Sequence, residues 1–242
     1  MKIRLGKMNL GFTMIEIAIS LGIIAFALVA IIGILPTGLT TQRDSKEDTW
    51  ILQDAGFLGD CIKHSLKGNY ALSNYIDYVQ IVNSAGITNT VSNYNGTINP
   101  DILLGLLGTP KYEPDGSTNK VTARIRGLTG NSSDQTNLAE LSFSYLLTVE
   151  ITPHVENLST SIAYGNDEYS TRTNLLHQLT NNLHELRMAF NWPILPKGDF
   201  GNGSYVYRSL IPSPYISTNV TLPNGNPGKL YYFKDTFFDK NP

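Results

Sequence analysis

The chain of 242 residues is 41% hydrophobic and 16% charged, and its 18 Lys and Arg against 20 Asp and Glu leave a formal net charge of −2. That balance provides no cationic field for phosphates and argues against a nucleic-acid partner. A single cysteine, Cys61, excludes an intrachain disulfide and any multi-cysteine metal site, while the length suits one globular domain, alone or with an anchor.

The N-terminus carries most of the information. Lys2, Arg4 and Lys7 occupy residues 1–11 without an acid, and an apolar run follows over 15–35 whose only charge is Glu16. A helix of that length covers about 30 Å, the hydrocarbon thickness of a bilayer. The basic residues ahead of it predict a cytoplasmic N-terminus. A helix from a soluble core is usually shorter and carries a polar stripe; here only Ser20 interrupts the run after Ile17. A secretory signal would have a shorter apolar region with a small-residue cleavage site behind it, and no Ala-x-Ala follows. A carboxylate inside a transmembrane segment costs about 2.5–3.5 kcal/mol. Glu16 therefore needs a partner and marks function.

The string Gly11-Phe12-Thr13-Met14-Ile15-Glu16, behind a basic leader and ahead of an apolar span, closely resembles the signature of type IV pilin-like precursors, the family of type IV pilins and type II secretion pseudopilins. Gly11, Phe12 and Glu16 match it residue by residue, with Thr13-Met14-Ile15 as filler. The match covers the leader and apolar span only. The resemblance implies that a membrane prepilin peptidase cuts between Gly11 and Phe12 and methylates the new Phe12 amine. Residues 1–11 would leave as the leader, and 12–36 would remain as membrane anchor and filament core. By the same resemblance the partners are the peptidase, other pilin-like subunits, an inner-membrane assembly platform and membrane lipid. The place is the bacterial inner membrane, crossed once, with a periplasmic C-terminal domain and passage into a fibre. In a staggered stack the Glu16 carboxylate of one subunit would meet the Phe12 ammonium of the next, so a misplaced subunit leaves a charge unpaired. The plainer alternative is a Glu16 that snorkels to the headgroups. One departure concerns proline: many members carry one about two-thirds along the apolar helix, whereas this chain has Gly22, Gly33 and Pro36 as its loosening points.

Residues 37–66 start polar and become amphipathic, forming the periplasmic half of the same long helix. Trp50, Ile51, Phe57, Leu58, Cys61, Ile62 and Leu66 recur at helical spacings and predict one apolar face laid on a sheet. Cys61 on that face reads as a buried inert thiol, with an intermolecular disulfide or a lipid site as alternatives. Residues 67–119 are rich in Asn, Gly, Ser and Tyr, with turn formers at Asn95-Gly96, Asn99-Pro100 and Asp115-Gly116. They predict a variable connecting loop with a short buried helix over 102–107. Strands are expected at 120–127 (Val121, Ala123, Ile125) and at 140–152 (Leu141, Phe143, Tyr145, Leu147, Val149, Ile151). Leu186, Met188, Phe190 and Trp192 give a third, closed by Pro193 and Pro196. A turn over 198–203 joins it to a fourth at 204–211, and 230–233 is a weaker fifth. Between them, 157–182 reads as polar, with a surface loop at Gly165-Asn166-Asp167 and an irregular helix over 175–183. Together these elements predict an α+β fold, a long N-terminal helix packed on an antiparallel sheet, with the globular part over 67–242. The pilin-like roll has the same outline.

Chemistry is sparse. No Gly-x-Ser-x-Gly, phosphate loop, dinucleotide fingerprint or His-Glu-x-x-His occurs, and His64, His154, His177 and His184 are scattered. No catalytic residue, metal or cofactor is expected. Arg187 and Arg208 read as solvated outer-face positions, with an acidic partner as the alternative. Asp235 and Asp239 loosely resemble the calcium loop of some pseudopilins, though a solvated tail is the favoured reading. The whole points to a structural subunit, a minor one given its length, of a pilus or pseudopilus. The rival is an anchored cell-surface binding protein that uses the pilin-type leader for export, with Tyr70, Tyr75, Tyr78 and Tyr94 lining a groove.

Overall fold

A computed structural model describes residues 12–65, 71–93, 97–127, 143–154, 167–195 and 199–234. The leader expected over 1–11, Leu66, Tyr70, Tyr94, Leu141, Pro196, Asp235 and Asp239 lie outside these residues. The chain divides into two compact units, Met1–Glu47 and Asp48–Pro242. Helix α1, Met14–Lys63, belongs to both and continues through Pro36.

In the first unit every side chain from Phe12 to Lys46 is exposed. The second unit is α+β. Its elements after α1 are α2 (Ala71–Tyr75), β1 (Ile76–Asn83), β2 (Thr88–Ser92), α3 (Pro100–Leu107), β3 (Asn119–Arg126), β4 (Ser144–Pro153), α4 (Asp167–Asn182), β5 (His184–Ile194), β6 (Phe200–Ile211), β7 (Tyr215–Thr221) and β8 (Pro227–Phe233). Six strands form an antiparallel sheet in the order β2-β1-β3-β4-β5-β6, and β7 pairs with β8 apart from it.

Strict alternation builds the core face. Val121, Ala123 and Ile125 on β3, Tyr145, Leu147, Val149 and Ile151 on β4, and Leu186, Met188, Phe190 and Trp192 on β5 are all buried, as period-2 side chains on one side of a sheet must be. Against this face lies the stripe Ile51, Ala55, Leu58 and Ile62 of α1, with Cys61 beside it. Phe57 was expected on that stripe but is 38% exposed, and Asp54 is buried in its stead. The carboxylate can be buried because the Tyr145 hydroxyl donates to its Oδ2 at 3.0 Å; a paired acid is affordable where a lone one is not. Aromatic rings continue from this bond, Trp50 against Phe143, Phe143 against Tyr145, Tyr145 against Phe190 and Phe190 against Tyr205.

The stretch expected as a connecting loop over 67–119 contains the β1–β2 hairpin. A bulge between Ile76 and Tyr78 shifts the alternation, so Ile76 and Val79 both face inward and a regular period is hidden. The turn is held by Asn83, whose Oδ1 accepts from the amides of Ala85 and Ile87 at 3.1 and 2.9 Å, with Gly86 at φ +77°. The short helix is present as α3. Asn99 caps it, its Oδ1 accepting from the Asp101 amide at 2.9 Å, and Pro100 opens it, the pairing of cap and N1 proline that favours a helix start. At its end Gly108 packs so closely on β8 that an added Cβ would lie 2.4 Å from the Tyr231 carbonyl oxygen.

The β5–β6 hairpin forms as expected, but residues 200–203 belong to β6, so the turn precedes the expected 198–203. The helix expected over 175–183 is present as α4 but begins at Asp167, and β7 was not anticipated because its side chains are mostly exposed. Asn224-Gly225, with Gly225 at φ +82°, is the hairpin signal that joins β7 to β8.

Tyr145→Phe removes one donor from buried Asp54 and should lower stability by about 1–3 kcal/mol, read from urea unfolding of the full chain in detergent micelles. Asp54→Leu combined with Tyr145→Phe should recover part of that loss, because no carboxylate is then buried at position 54.

Candidate functional site

The first turn of α1 is the one place where chemistry-bearing residues meet the apolar span. Thr13 precedes the helix, and its backbone amide and hydroxyl both donate to Glu16 Oε2 at 2.8 Å. The Glu16 amide returns a longer bond of 3.4 Å to Thr13 Oγ1. This is a capping box, Thr at the N-cap and Glu at the third helical position, each satisfying an amide that the helix leaves orphaned. Thr13 was read as filler; the Thr-x-x-Glu spacing was the signal for its role. An acid in the first turn also meets the positive end of the helix dipole.

The geometry leaves Glu16 with one carboxylate oxygen, Oε1, that makes no hydrogen bond among the described residues. Phe12, immediately before the cap, is 84% exposed. Gly11, the other half of the expected cleavage site, lies outside the described residues. From Phe12 onward the apolar side chains run without a buried member through Leu35 and Leu39. α1 is long and apolar enough to cross a membrane.

Elsewhere the candidate groups serve the fold. The histidines do not assemble. His64 closes α1 with Nδ1 at 3.1 Å from the Asp60 carbonyl, His177 lies in α4, and His184 starts β5, buried. His184 Nδ1 donates to the Ser213 carbonyl at 3.0 Å, its ring stands edge-on to Tyr215 and Phe233, and burial pushes its pKa below the ordinary range. Among the described residues no group of three or more His, Cys, Asp or Glu is placed to hold a metal. Cys61 is buried and forms no disulfide. Tyr75 packs against the core and Tyr78 is half-buried, so these two do not make an exposed aromatic row.

The outer face of the sheet is ionic. Glu150 on β4 accepts from Arg187 Nη1 at 2.8 Å and Lys111 Nζ at 3.1 Å, which hold its carboxyl below the usual range. Asp77, at the β1 bulge, pairs with Arg126 at 2.9 Å and Arg124 at 3.5 Å; burial pushes its carboxyl up despite both guanidinium groups. Arg187 is thus a paired group, whereas Arg208, directly opposite it on β6, has no ion pair among the described residues. Comparison with family models, with curated proteins and with solved structures finds no match for this chain.

Thr13→Ala removes the N-cap, which is worth about 1 kcal/mol. Amide exchange over residues 14–17 of the chain in detergent micelles should therefore accelerate about fivefold, with Thr13→Ser close to the parent. Equal exchange in all three proteins would contradict the capping role.

Proposed function

We propose that this chain is a structural subunit, a minor one, of a type IV pilus or type II secretion-like pseudopilus. In this reading it is processed between Gly11 and Phe12 by a prepilin peptidase and anchored through the first half of α1. The observation that carries the reading is the apolar helix, which nothing covers among the described residues. Its large side chains from Phe12 to Leu35 are 49–89% exposed, and removing such side chains from water is worth about 1.5–3 kcal/mol each. A bilayer covers that surface before assembly, and the same segments of neighbouring subunits cover it afterwards.

Glu16 then sets the register. Oε2 is committed to the Thr13 cap, and Oε1 can receive the Phe12 ammonium of a neighbour without opening that cap. Where water is scarce an unpaired carboxylate or ammonium is expensive, so only the stagger that pairs them is favourable. The work of the chain in this reading is assembly, with the peptidase, sister subunits, an inner-membrane platform and lipid as partners, and with the C-terminal unit on the periplasmic side.

Glu16→Gln separates capping from charge, because a glutamine at the third helical position also closes a capping box. Both Glu16→Gln and Glu16→Ala should remain in the membrane fraction, yet fall at least about tenfold in sheared surface fibres, the loss expected when a buried pair is broken at a cost above about 1.4 kcal/mol. Normal incorporation of Glu16→Gln would contradict pairing by charge. Indifference of both variants would leave an anchored binding domain as the better reading.

A further inference from the structure

The six-stranded sheet ends in a long edge that nothing covers among the described residues. β6 pairs with β5 on one side only, so half of its amides and carbonyls have no sheet partner over Phe200–Ile211. The opposite edge is treated differently: at β2 the Asn224 Nδ2 donates to the Thr90 carbonyl at 3.0 Å. Native proteins blunt open edges with short strands, prolines or lysines, and β6 has neither a proline nor a lysine.

Side chains define what this edge would accept. On the outward face of β6 stand Val206 and Leu210, 42% and 49% exposed, with exposed Arg208 between them. Arg208 sits directly opposite Arg187, and like charges in that position repel across a sheet. Arg187 is compensated by Glu150. Arg208 has neither ion pair nor hydrogen bond among the described residues, so an unpaired positive charge lies at the open edge, flanked by apolar side chains.

We propose that β6 is a docking edge for an extended segment of a partner protein, one that carries a carboxylate opposite Arg208 and apolar residues two positions to either side. Main-chain hydrogen bonds to the free edge supply the attachment, as in other strand-addition complexes. The alternation of the incoming strand brings its i−2 and i+2 side chains onto Val206 and Leu210. The acid at its centre pairs with Arg208, the cation that Glu150 does not reach. This surface lies in the second unit and does not depend on how the N-terminal helix is used.

The test uses the full chain in detergent micelles and two fluorescein-labelled peptides, Thr-Val-Thr-Glu-Thr-Val-Thr and the same sequence with Lys at its centre. The Glu peptide should bind about fivefold more tightly than the Lys peptide, the scale of one exposed ion pair made or opposed, and should slow amide exchange over 200–211. Arg208→Glu, at an exposed position, should reverse the preference, and Val206→Ser with Leu210→Ser should weaken both peptides. Equal affinities, a preference that survives Arg208→Glu, or no binding by either peptide would overturn the proposal. In the last case Arg208 is only a charge that guards the edge.

Discussion

The first half of α1 has no side of its own. From Phe12 to Leu35 apolar residues occupy every direction around the axis and all are exposed, a condition that water does not tolerate over so large a continuous surface. A helix that is apolar all round is stable when lipid or other helices surround it. The acid at its mouth sharpens the constraint. Glu16 is placed where it can close the first turn through Thr13 and still present an oxygen outward. The helix therefore begins with the Thr13 and Glu16 amides paired and one carboxylate oxygen in reserve. The proposed assembly follows from these two facts, the cover that the helix needs and the counter-charge that Glu16 can take.

The second unit solves an ordinary problem by different means. Its segment of α1 is apolar on one face only, and the sheet covers that face. Three of the polar groups carried into the core are matched, Asp54 by Tyr145, the Asn93 side chain by the carbonyls of Ser73 and Ile76, and His184 Nδ1 by Ser213, while His184 Nε2 and Thr109 Oγ1 have no partner among the described residues. Matching of this kind turns a costly burial into a device that fixes one packing arrangement. On the outer face Glu150 and Asp77 gather Lys111, Arg187, Arg124 and Arg126 in the middle of the sheet, whereas Arg208 at the β6 edge has no such partner among the described residues, and the proposed docking edge rests on that charge.

Sequence reading recovers the features that rest on periodicity and loses those that rest on local exceptions. The long helix, β3, β4, β5 and the β5–β6 hairpin follow from unbroken periods. β1 was hidden by one bulge at Asp77, which puts Ile76 and Val79 on the same side and destroys the alternation. Phe57 was placed on the buried face because a phenylalanine weighs more than an aspartate in any apolar count, yet Asp54 takes the inner place once Tyr145 supplies its donor. β7 carries too few inward residues to register. At the first turn of α1 the motif drew attention to Glu16, while the part that Thr13 plays needed the capping geometry to be recognised. Arg208 could not be separated from Arg187 without the strand register and the position of Glu150.

The most direct test of the account is the intact mass and N-terminal fragmentation of the protein recovered from membranes and from sheared surface fibres. A mature chain that starts at N-methylated Phe12 and occurs in the sheared fraction is the expected result, since it joins processing to assembly in one observation. A chain that keeps Met1, or one cut behind the apolar run near Pro36, would contradict the account, because the charge that Glu16 is proposed to meet would then never be formed.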